Sequence, residues 1–319
     1  MTKGRALEAL ANQAVDAAEL AAVAAARLVG RGDKIAADQA AVDAMRTGLN
    51  AISMKGRIVI GEGERDEAPM LYIGEEVGAG EGPEIDIALD PLEGTSLTAK
   101  GMNNALAVLA LAPRGGLLHA PDTYMDKIAC GPGLPAGVID LDANPAENVA
   151  SVAKAKGVQP ADVTVCVLDR ERHQHIVESV RSTGARIMFI PDGDVAGVIN
   201  AADPDGRADL YIGRGGAPEG VLGAAALRCL GGQMQGRLHF RNDDERKRAE
   251  RVGISDLDRK YDLGEMASED CLFIAAGVTE GDLVHGVREG AGWVETQTLL
   301  FSSVTGLRRK ITTRRQRRG

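Results

Sequence analysis

The sequence predicts an α/β fold, because stretches with strand character alternate with stretches of helical spacing. Residues 85–90 alternate between apolar and polar side chains, and 105–111 are nearly all apolar, as in a central strand buried on both faces. Beyond these the order is strand, helix, strand, helix. The predicted strands there are 163–168, 186–190 and 210–212, and the predicted helices are 173–182, 194–200 and 218–230. We therefore expect two α/β halves in which helices flank a sheet.

The length of 319 residues allows one large or two ordinary domains. We place the boundary at about 140–160, with a first domain at 1–150 and a second at 151–319. The net charge of −9 argues against general nucleic-acid binding. Four widely spaced cysteines without a C-x-x-C pair are typical of a cytoplasmic protein with reduced thiols. Acids interrupt the Ala-rich N-terminus, so we expect neither a signal peptide nor a membrane span.

The stretch 85–96, I-D-I-A-L-D-P-L-E-G-T-S, holds the groups with the clearest chemistry. Pro91 lacks an N–H, so we expect it to end the strand, and the glycine that follows Glu93 permits a sharp turn into a helix. Asp90, Glu93 and Thr95 would then leave the end of a strand together. Two carboxylates and a hydroxyl could hold Mg²⁺ or Mn²⁺ and orient a water, because hard cations prefer oxygen ligands. An ordinary acidic surface turn is the alternative.

Helical spacing marks residues 7–29 and a second helix that begins after Asp33. On the second helix Asp38 shares a stripe with apolar residues four, seven and eleven positions further along. This is unusual, since an unpaired buried carboxylate is costly. The alternative to a functional role is a slight rotation of the helix that leaves Asp38 solvated.

A short strand at 57–60 runs into G-E-G-E at 61–64. The glycines permit a close approach of Glu62 to an ion, and Glu62 and Glu64 share a side if the chain stays extended. Two more acids follow directly, so a loop of solvated acids is the alternative. Residues 69–76 then predict a helix closed by glycines.

Two motifs in the second half suit anions. R-E-R-H at 170–173 follows a strand end, where its cations could bind a phosphate. G-R-G-G-A-P-E-G at 213–220 would expose backbone N–H groups at a helix N-terminus. The first motif is equally typical of a solvated basic turn, and the second is a weak signal alone. The acids of P-D-G-D at 191–194 also suit a turn that caps the next helix.

Three further stretches are predicted to lie at the surface. Residues 119–127, H-A-P-D-T-Y-M-D-K, predict a polar loop in which Tyr124 is a packed aromatic unless it contacts a ligand. The charge-dense stretch 241–262 predicts an exposed helix and loop without a catalytic role. The basic tail 308–318 lacks interleaved aromatic residues, which disfavours a nucleic-acid patch.

D-P-L-E-G-T-S at 90–96 resembles the metal-binding signature of the lithium-sensitive phosphatases, the superfamily of inositol monophosphatase and fructose-1,6-bisphosphatase. G-R-G-D-K-I-A-A-D at 30–38, G-E-G-E-R-D-E-A-P-M-L-Y-I-G-E at 61–75 and G-G-A-P-E-G at 215–220 resemble the class II fructose-1,6-bisphosphatases of bacteria. Similar stretches run from about Leu28 to Thr298. The W-D-x-A-A-G motif of inositol monophosphatases is absent, which favours the class II branch. The resemblance implies a layered α-β-α-β-α sandwich of the inositol monophosphatase/fructose-1,6-bisphosphatase type.

The resemblance further implies an enzyme that removes the 1-phosphate of fructose 1,6-bisphosphate with two or more Mg²⁺ or Mn²⁺ ions. The implied metal ligands are Asp38, Glu62, Asp90, Glu93 and Glu219. The implied catalytic residues are Thr95, which would help deprotonate the attacking water, and Glu62, Asp90 and Lys34. The implied substrate contacts are Glu93, Gly94, Thr95, Tyr124, Arg170, Arg172, Asp192, Asp194 and Gly216.

Other substrates and classes remain open at this point. Some relatives in photosynthetic bacteria also cleave sedoheptulose 1,7-bisphosphate for the Calvin cycle, and the motifs do not separate them from gluconeogenic enzymes. An inositol monophosphatase-like activity is less favoured. A catalytically silent sugar-phosphate sensor would have no use for a water-activating Thr95. The resemblance implies a cytoplasmic homodimer or homotetramer, without nucleic-acid or membrane partners.

Overall fold

The computed structural model describes residues 2–62 and 70–316, and the chain divides into two compact units. The first comprises Met1–Leu117 and Glu269–Gly319, and the second comprises Leu118–Ser268. This division differs from the boundary that we expect at 140–160. The reason is that the last strands of the chain return to the sheet of the first unit, while a strand before residue 140 already belongs to the sheet of the second.

The helices are α1 (Lys3–Glu8), α2 (Ala11–Ala26), α3 (Lys34–Asn50), α4 (Thr95–Lys100), α5 (Pro145–Lys156), α6 (Gln174–Ser182), α7 (Asp194–Ala202), α8 (Ala217–Leu230), α9 (Asp243–Arg251) and α10 (Leu263–Met266). The strands are β1 (Lys55–Ile60), β2 (Glu76–Val77), β3 (Glu84–Glu93), β4 (Leu106–Pro113), β5 (Tyr124–Cys130), β6 (Thr164–Leu168), β7 (Arg186–Ile190), β8 (Leu210–Gly216), β9 (Gln233–His239), β10 (Lys260–Asp262), β11 (Leu272–Gly277), β12 (Arg288–Gly290), β13 (Trp293–Ser302) and β14 (Arg308–Gln316). None of the described helices combines the length and apolar character that crossing a membrane requires.

The sheet of the first unit has the order β12-β13-β11-β4-β3-β1-β2, and β14 also pairs with β13. β3 is parallel to β1 and antiparallel to β4, whose residues are all buried as the apolar run predicts. α2 and α3 pack on each other and on this sheet, with a face of fully buried alanines on α2. The single helix predicted at 7–29 is wrong, because the chain breaks between α1 and α2 at Ala9 and Leu10.

The sheet of the second unit has the order β10-β9-β5-β8-β6-β7. β6 is parallel to β7 and β8, whereas β5 is antiparallel to β8 and β9. Apolar residues of β5, β6 and β8 form a core with α5 and α6, and α7 packs against α8. Both units therefore combine a mixed sheet with helices, and the predicted α/β class is confirmed.

The basic tail is a strand of the first unit. β14 pairs with β13 along its whole length. Arg315 lies 2.5 Å from Asp16 and 2.5 Å from the fully buried Glu19, and Arg314 lies 2.8 Å from Glu295. These arginines therefore neutralise acids of their own unit.

We expect Gly48→Ala to destabilise the protein, because α3 lies close to α2 at this position. An added Cβ would lie 2.7 Å from Ala17 Cα and 2.8 Å from Ala17 Cβ. Overpacking of this kind costs about 1–3 kcal/mol, and the better helix propensity of alanine returns at most about 1 kcal/mol. A urea titration followed by circular dichroism measures the change.

Thr47→Ala, at an exposed neighbouring position, is the matched control and should stay within about 0.5 kcal/mol of the wild type. A Gly48→Ala protein as stable as the control would show that the two helices can separate without cost.

Candidate active site

The end of β3 carries two acids of the predicted metal set. β3 has one more residue than β4 between the paired positions of Asp90 and Glu93. The expectation that Pro91 ends the strand is wrong, because Pro91 lies in this bulge, where the interrupted ladder needs no N–H from it. The Asp90 carboxylate accepts a hydrogen bond from the Leu92 N–H at 3.0 Å, which fixes it at the bulge.

Gly94 turns the chain from β3 into α4. Its φ of 88° lies in the left-handed region that favours glycine, and α4 begins at Thr95 as predicted. Glu93 is buried, while Asp90 and Thr95 are half-buried. Two carboxylates and a hydroxyl thus lie within six residues of chain, around one bulge and one glycine turn.

Asp38 lies on the second turn of α3. The N–H groups of Gly30 and Gly32 donate to carbonyls of α4 at 2.9 Å, so the loop that leads into α3 is fastened to α4. Asp38 is half-buried, and burial raises the pKa of its carboxyl. In the described part of the chain no hydrogen bond or ion pair reaches this carboxylate. Lys34 is exposed on the first turn of the same helix.

Glu62 is half-buried just beyond β1. Its N–H donates to the Leu71 carbonyl at 2.9 Å, so Leu71 lies next to the residue that follows β1 closely. Glu64, expected on the same side, lies outside the described residues. Glu62 is therefore the member of this acidic motif that the structure places near the end of a strand.

The helix predicted at 69–76 is wrong in its described part, where residues 70–75 form turns before β2. Leu71 has a φ of 56°, which a helix does not allow. Its N–H donates to the buried Glu75 carboxylate, which also accepts from Arg46 Nε at 2.8 Å. A carboxylate that binds the backbone of its own segment stabilises the turn in place of a helix.

Lys127 on β5 is a buried cation that sequence reasoning missed. The expected polar loop at 119–127 is wrong in its last part, because β5 begins at Tyr124 and pairs with β8 and β9. Lys127 is 1% exposed, and its ammonium donates to Asp194 and, at 2.8 Å, to the Gly216 carbonyl. The signal was weak: a lysine that follows an aspartate and directly precedes the short apolar run 128–130.

Asp194 is the counter-charge of Lys127. Its other oxygen accepts from the Tyr211 hydroxyl at 2.6 Å, and the whole residue is buried at the start of α7. A sugar contact at Asp194, as the resemblance implies, would share a carboxylate that already has two donors. That contact stays a prediction.

The first half of the glycine-rich motif at 213–220 is a strand end and not the expected loop, and the second half begins α8. Residues 213–216 belong to β8 and pair with β5, which engages every second N–H group, and the Arg214 N–H donates to His173 Nε2. α8 follows with Pro218 in its first turn, as predicted. A Cβ on Gly216 would lie 1.8 Å from Glu219 Oε2, so the absence of a side chain makes room for this carboxylate.

Glu219 is the implied metal ligand of the second unit. Its Oε2 atom is enclosed and has no hydrogen-bond partner among the residues that the structure describes. Burial raises the pKa of its carboxyl, and although the Lys127 ammonium opposes this rise, Asp194 adds to it. A cation beside Oε2 would give this atom a partner and would lower the pKa of the carboxyl.

The donor set fits a hard divalent cation in kind, because all the implied ligands are carboxylates. The Asp38 carboxylate and Glu219 Oε2 are shielded from water, and neither has a hydrogen-bond donor among the described residues. A metal ligand is in this state before its ion binds. Within residues 2–62 and 70–316, however, no group of three or more His, Cys, Asp or Glu side chains is positioned to hold an ion.

Arg170 and Arg172 follow β6, as predicted. Arg170 donates to a backbone carbonyl at 2.6 Å and lies 3.3 Å from Asp192. Arg172 donates twice to the Arg214 carbonyl, at 3.1 and 2.7 Å, and its guanidinium lies 5.1 Å from the centre of the Tyr124 ring. The structure thus joins Arg172 to Tyr124 and Arg170 to Asp192, two pairs of predicted substrate contacts.

His173 fixes the backbone that holds Arg172. Its Nδ1 lies 2.8 Å from the Leu168 carbonyl, and its Nε2 accepts from the Arg214 N–H at 2.8 Å. A ring that donates at one nitrogen and accepts at the other is neutral. Burial of the ring lowers the pKa of His173 and favours this form.

Arg241 is a second cation beside Tyr124. Its guanidinium lies 5.0 Å from the centre of the Tyr124 ring. The stretch 241–262 contains the predicted helix, α9, and Arg241 lies just before it. The expectation that this stretch has no catalytic role stays a prediction. A run of charged residues does not indicate which of them contacts an aromatic ring that is remote in the sequence.

Residues 8–315 match the protein family described as "Bacterial fructose-1,6-bisphosphatase, glpX-encoded", and the chain belongs to this family. The mixed sheets and helices of the two units are consistent with an α/β sandwich phosphatase. The chain is therefore a sugar bisphosphatase, and it hydrolyses fructose 1,6-bisphosphate. Membership of the family implies a dependence on divalent metal ions.

Two curated relatives carry the name "D-fructose 1,6-bisphosphatase class 2/sedoheptulose 1,7-bisphosphatase". The protein of Synechococcus sp. (strain JA-3-3Ab) is 46% identical over 314 residues, which cover 91% of this chain and 90% of the relative. The protein of Prochlorococcus marinus (strain NATL1A) is 44% identical over 309 residues, which cover 92% of each chain. The resemblance to class II enzymes inferred from the motifs is confirmed.

We expect Lys127→Met to lower the free energy of unfolding by about 3–5 kcal/mol, because the change leaves Asp194 buried without its cation. Lys156→Met is the matched control: Lys156 pairs with Asp209 but its side chain is 40% exposed, so the loss should be about 0–1 kcal/mol. Urea denaturation of the three proteins gives the comparison. Similar losses in both variants would mean that Lys127 contributes no more than a surface ion pair.

Proposed function

We propose that this chain removes the 1-phosphate of fructose 1,6-bisphosphate, giving fructose 6-phosphate and phosphate, with Mg²⁺ or Mn²⁺. The observation that most supports this reaction is the turn at the end of β3. Asp90, Glu93 and Thr95 lie there within six residues of chain, around the bulge and the Gly94 turn, and oxygen groups of these kinds suit metal-assisted hydrolysis.

The proposed metal ligands of the first unit are Asp38, Glu62, Asp90 and Glu93, and Glu219 is the proposed ligand of the second unit. Bound ions would neutralise phosphate charge and lower the pKa of the attacking water. Desolvation prepares Asp38 and Glu219 for this role, because a carboxylate already withdrawn from water loses little hydration when it binds a cation.

Thr95 is proposed to hydrogen-bond the attacking water and to help remove its proton. Its place at the first position of α4, directly after the glycine turn, supports this role. Asp90 and Glu62 would share in holding the water, and Lys34, exposed on α3, would steady the phosphate or an acidic ligand. Direct attack by water requires no phosphoenzyme.

The proposed contacts to the sugar and its second phosphate are Tyr124, Arg170, Arg172, Asp192, Asp194 and Gly216, with Glu93, Gly94 and Thr95 at the reacting end. The association of Arg172 with Tyr124 supports this assignment. A guanidinium held by a neutral carbonyl keeps its charge available for a phosphate, and such charge-assisted bonds are strong.

Sedoheptulose 1,7-bisphosphate is a second candidate substrate, because the names of both relatives include this activity. Phosphate release from the two bisphosphates under identical conditions decides between a single and a dual specificity. We further propose a cytoplasmic homodimer or homotetramer in sugar-phosphate metabolism. Four free cysteines are consistent with a reducing compartment.

We expect hydrolysis of fructose 1,6-bisphosphate to stop in excess EDTA and to return when Mg²⁺ or Mn²⁺ is restored. Asp90→Asn should lower metal affinity and activity together, since an amide is a weaker ligand than a carboxylate. Asp43→Asn, an exposed acid on α3, is the control and should leave both unchanged. Full activity in excess EDTA would show that the assignment of the metal ligands is wrong.

We expect Thr95→Ala to reduce kcat by roughly 100-fold or more while substrate KM and metal affinity stay nearly constant. Ser96→Ala removes the next hydroxyl of α4 and should have little effect. Steady-state kinetics at saturating metal separates the two parameters. A rise in KM with normal kcat would instead make Thr95 a binding or capping residue.

A further inference from the structure

We propose that Arg241 determines specificity for bisphosphates: together with Arg172 it forms a two-arginine clamp on Tyr124 that binds the phosphate which does not react. The clamp is defined as Arg172, Tyr124 and Arg241. This inference rests on the proposed function and adds a residue from a segment that the sequence marks only as charged surface.

The geometry brings two guanidinium groups to one aromatic ring. Their distances to the ring centre are 5.1 Å for Arg172 and 5.0 Å for Arg241, within the range of cation–π contacts. Each contact orients a planar donor group. Two like charges beside one ring repel each other, so the binding of an anion near them is favoured.

The charges of the clamp are incompletely balanced. Glu245 pairs with Arg241. Arg172 donates to the neutral Arg214 carbonyl, and no carboxylate pairs with it in the part of the chain that the structure describes. The third arginine nearby, Arg214, is matched by Asp126 at 2.7 Å. One positive charge therefore remains for a ligand at the ring.

Arg241 is held in place by a buried acid. Glu245 is 1% exposed, accepts from Arg241 N at 2.7 Å and Arg241 Nε at 2.5 Å, and accepts from the Thr123 hydroxyl at 2.8 Å. Burial acts to raise the pKa of Glu245, but these hydrogen bonds outweigh it and hold the pKa below its ordinary value. One carboxylate thus ties Arg241 to the residue that precedes Tyr124.

The clamp suits a phosphate monoester. The Arg241 side chain is still 53% exposed, so its remaining N–H groups can reach a ligand. Guanidinium edges match phosphate oxygens in paired hydrogen bonds, and the Tyr124 hydroxyl can add a donor. The clamp supplies donors rather than carboxylate ligands for metal, which fits the phosphate that is bound but not cleaved.

Arg241→Gln tests the proposal against Arg246→Gln, a matched control whose guanidinium lies 5.4 Å from the Phe240 ring in a similar cation–π contact. We expect Arg241→Gln to lower kcat/KM for fructose 1,6-bisphosphate about ten- to a hundredfold, the loss typical of one charge-assisted contact. The loss should appear mainly in KM. Hydrolysis of a sugar 1-phosphate should be unchanged, Arg241→Lys should recover part of the loss, and the control should match the wild type.

Fructose 6-phosphate binding, measured by calorimetry with Mg²⁺ present, separates this proposal from the proposed function. We expect Arg241→Gln to weaken this binding at least about tenfold. A wild type that hydrolyses no bisphosphate but binds fructose 6-phosphate through Arg241 would overturn the function and keep the clamp. An active wild type with Arg241→Gln indistinguishable from it on both substrates would overturn the clamp alone. Equal losses on both substrates, with a lowered urea midpoint, would make Arg241 structural and also overturn the clamp.

Discussion

A buried ammonium group must keep its counter-charges, and this constraint organises the second unit. Removing an ion from water costs several kcal/mol unless close partners compensate it. Lys127 on β5 obtains that compensation from the first residue of α7, Asp194, and from the carbonyl that precedes α8, at Gly216. The starts of two helices are therefore fixed relative to a central strand. Glu219, in the first turn of α8, is positioned by the same contact.

The regular elements with a clear period were predictable from the sequence. The bounds of β6, β7 and α6 differ from expectation by at most one residue, because each has a run or face of apolar residues. The irregular points were not predictable. A bulge at Pro91 needs a neighbouring strand to define it, and the turn at Leu71 needs the carboxylate of Glu75. These features depend on partners that a local pattern does not contain.

Some residues of the candidate site were predictable from the sequence and others were not. Asp90, Glu93 and Thr95 lie in one short stretch, so their proximity followed from a single predicted turn. Tyr124 was assigned to a loop, although its ring lies at the start of a strand. Lys127 and Arg241 went unnoticed because their partners are remote in the sequence. Side chains that support a site through long-range contacts carry little signal of their own.

The last strand has a consequence for the solubility of the chain. β14 lies beside β13 and carries arginines and a lysine at short intervals, and like charges hinder the addition of a second chain to such an edge. Removing the tail would expose β13, whose apolar residues Leu299, Leu300 and Phe301 are buried, and would separate Glu19 from Arg315. A shortened chain would then combine an open apolar edge with an unneutralised buried acid. The basic tail thereby protects the first unit from aggregation.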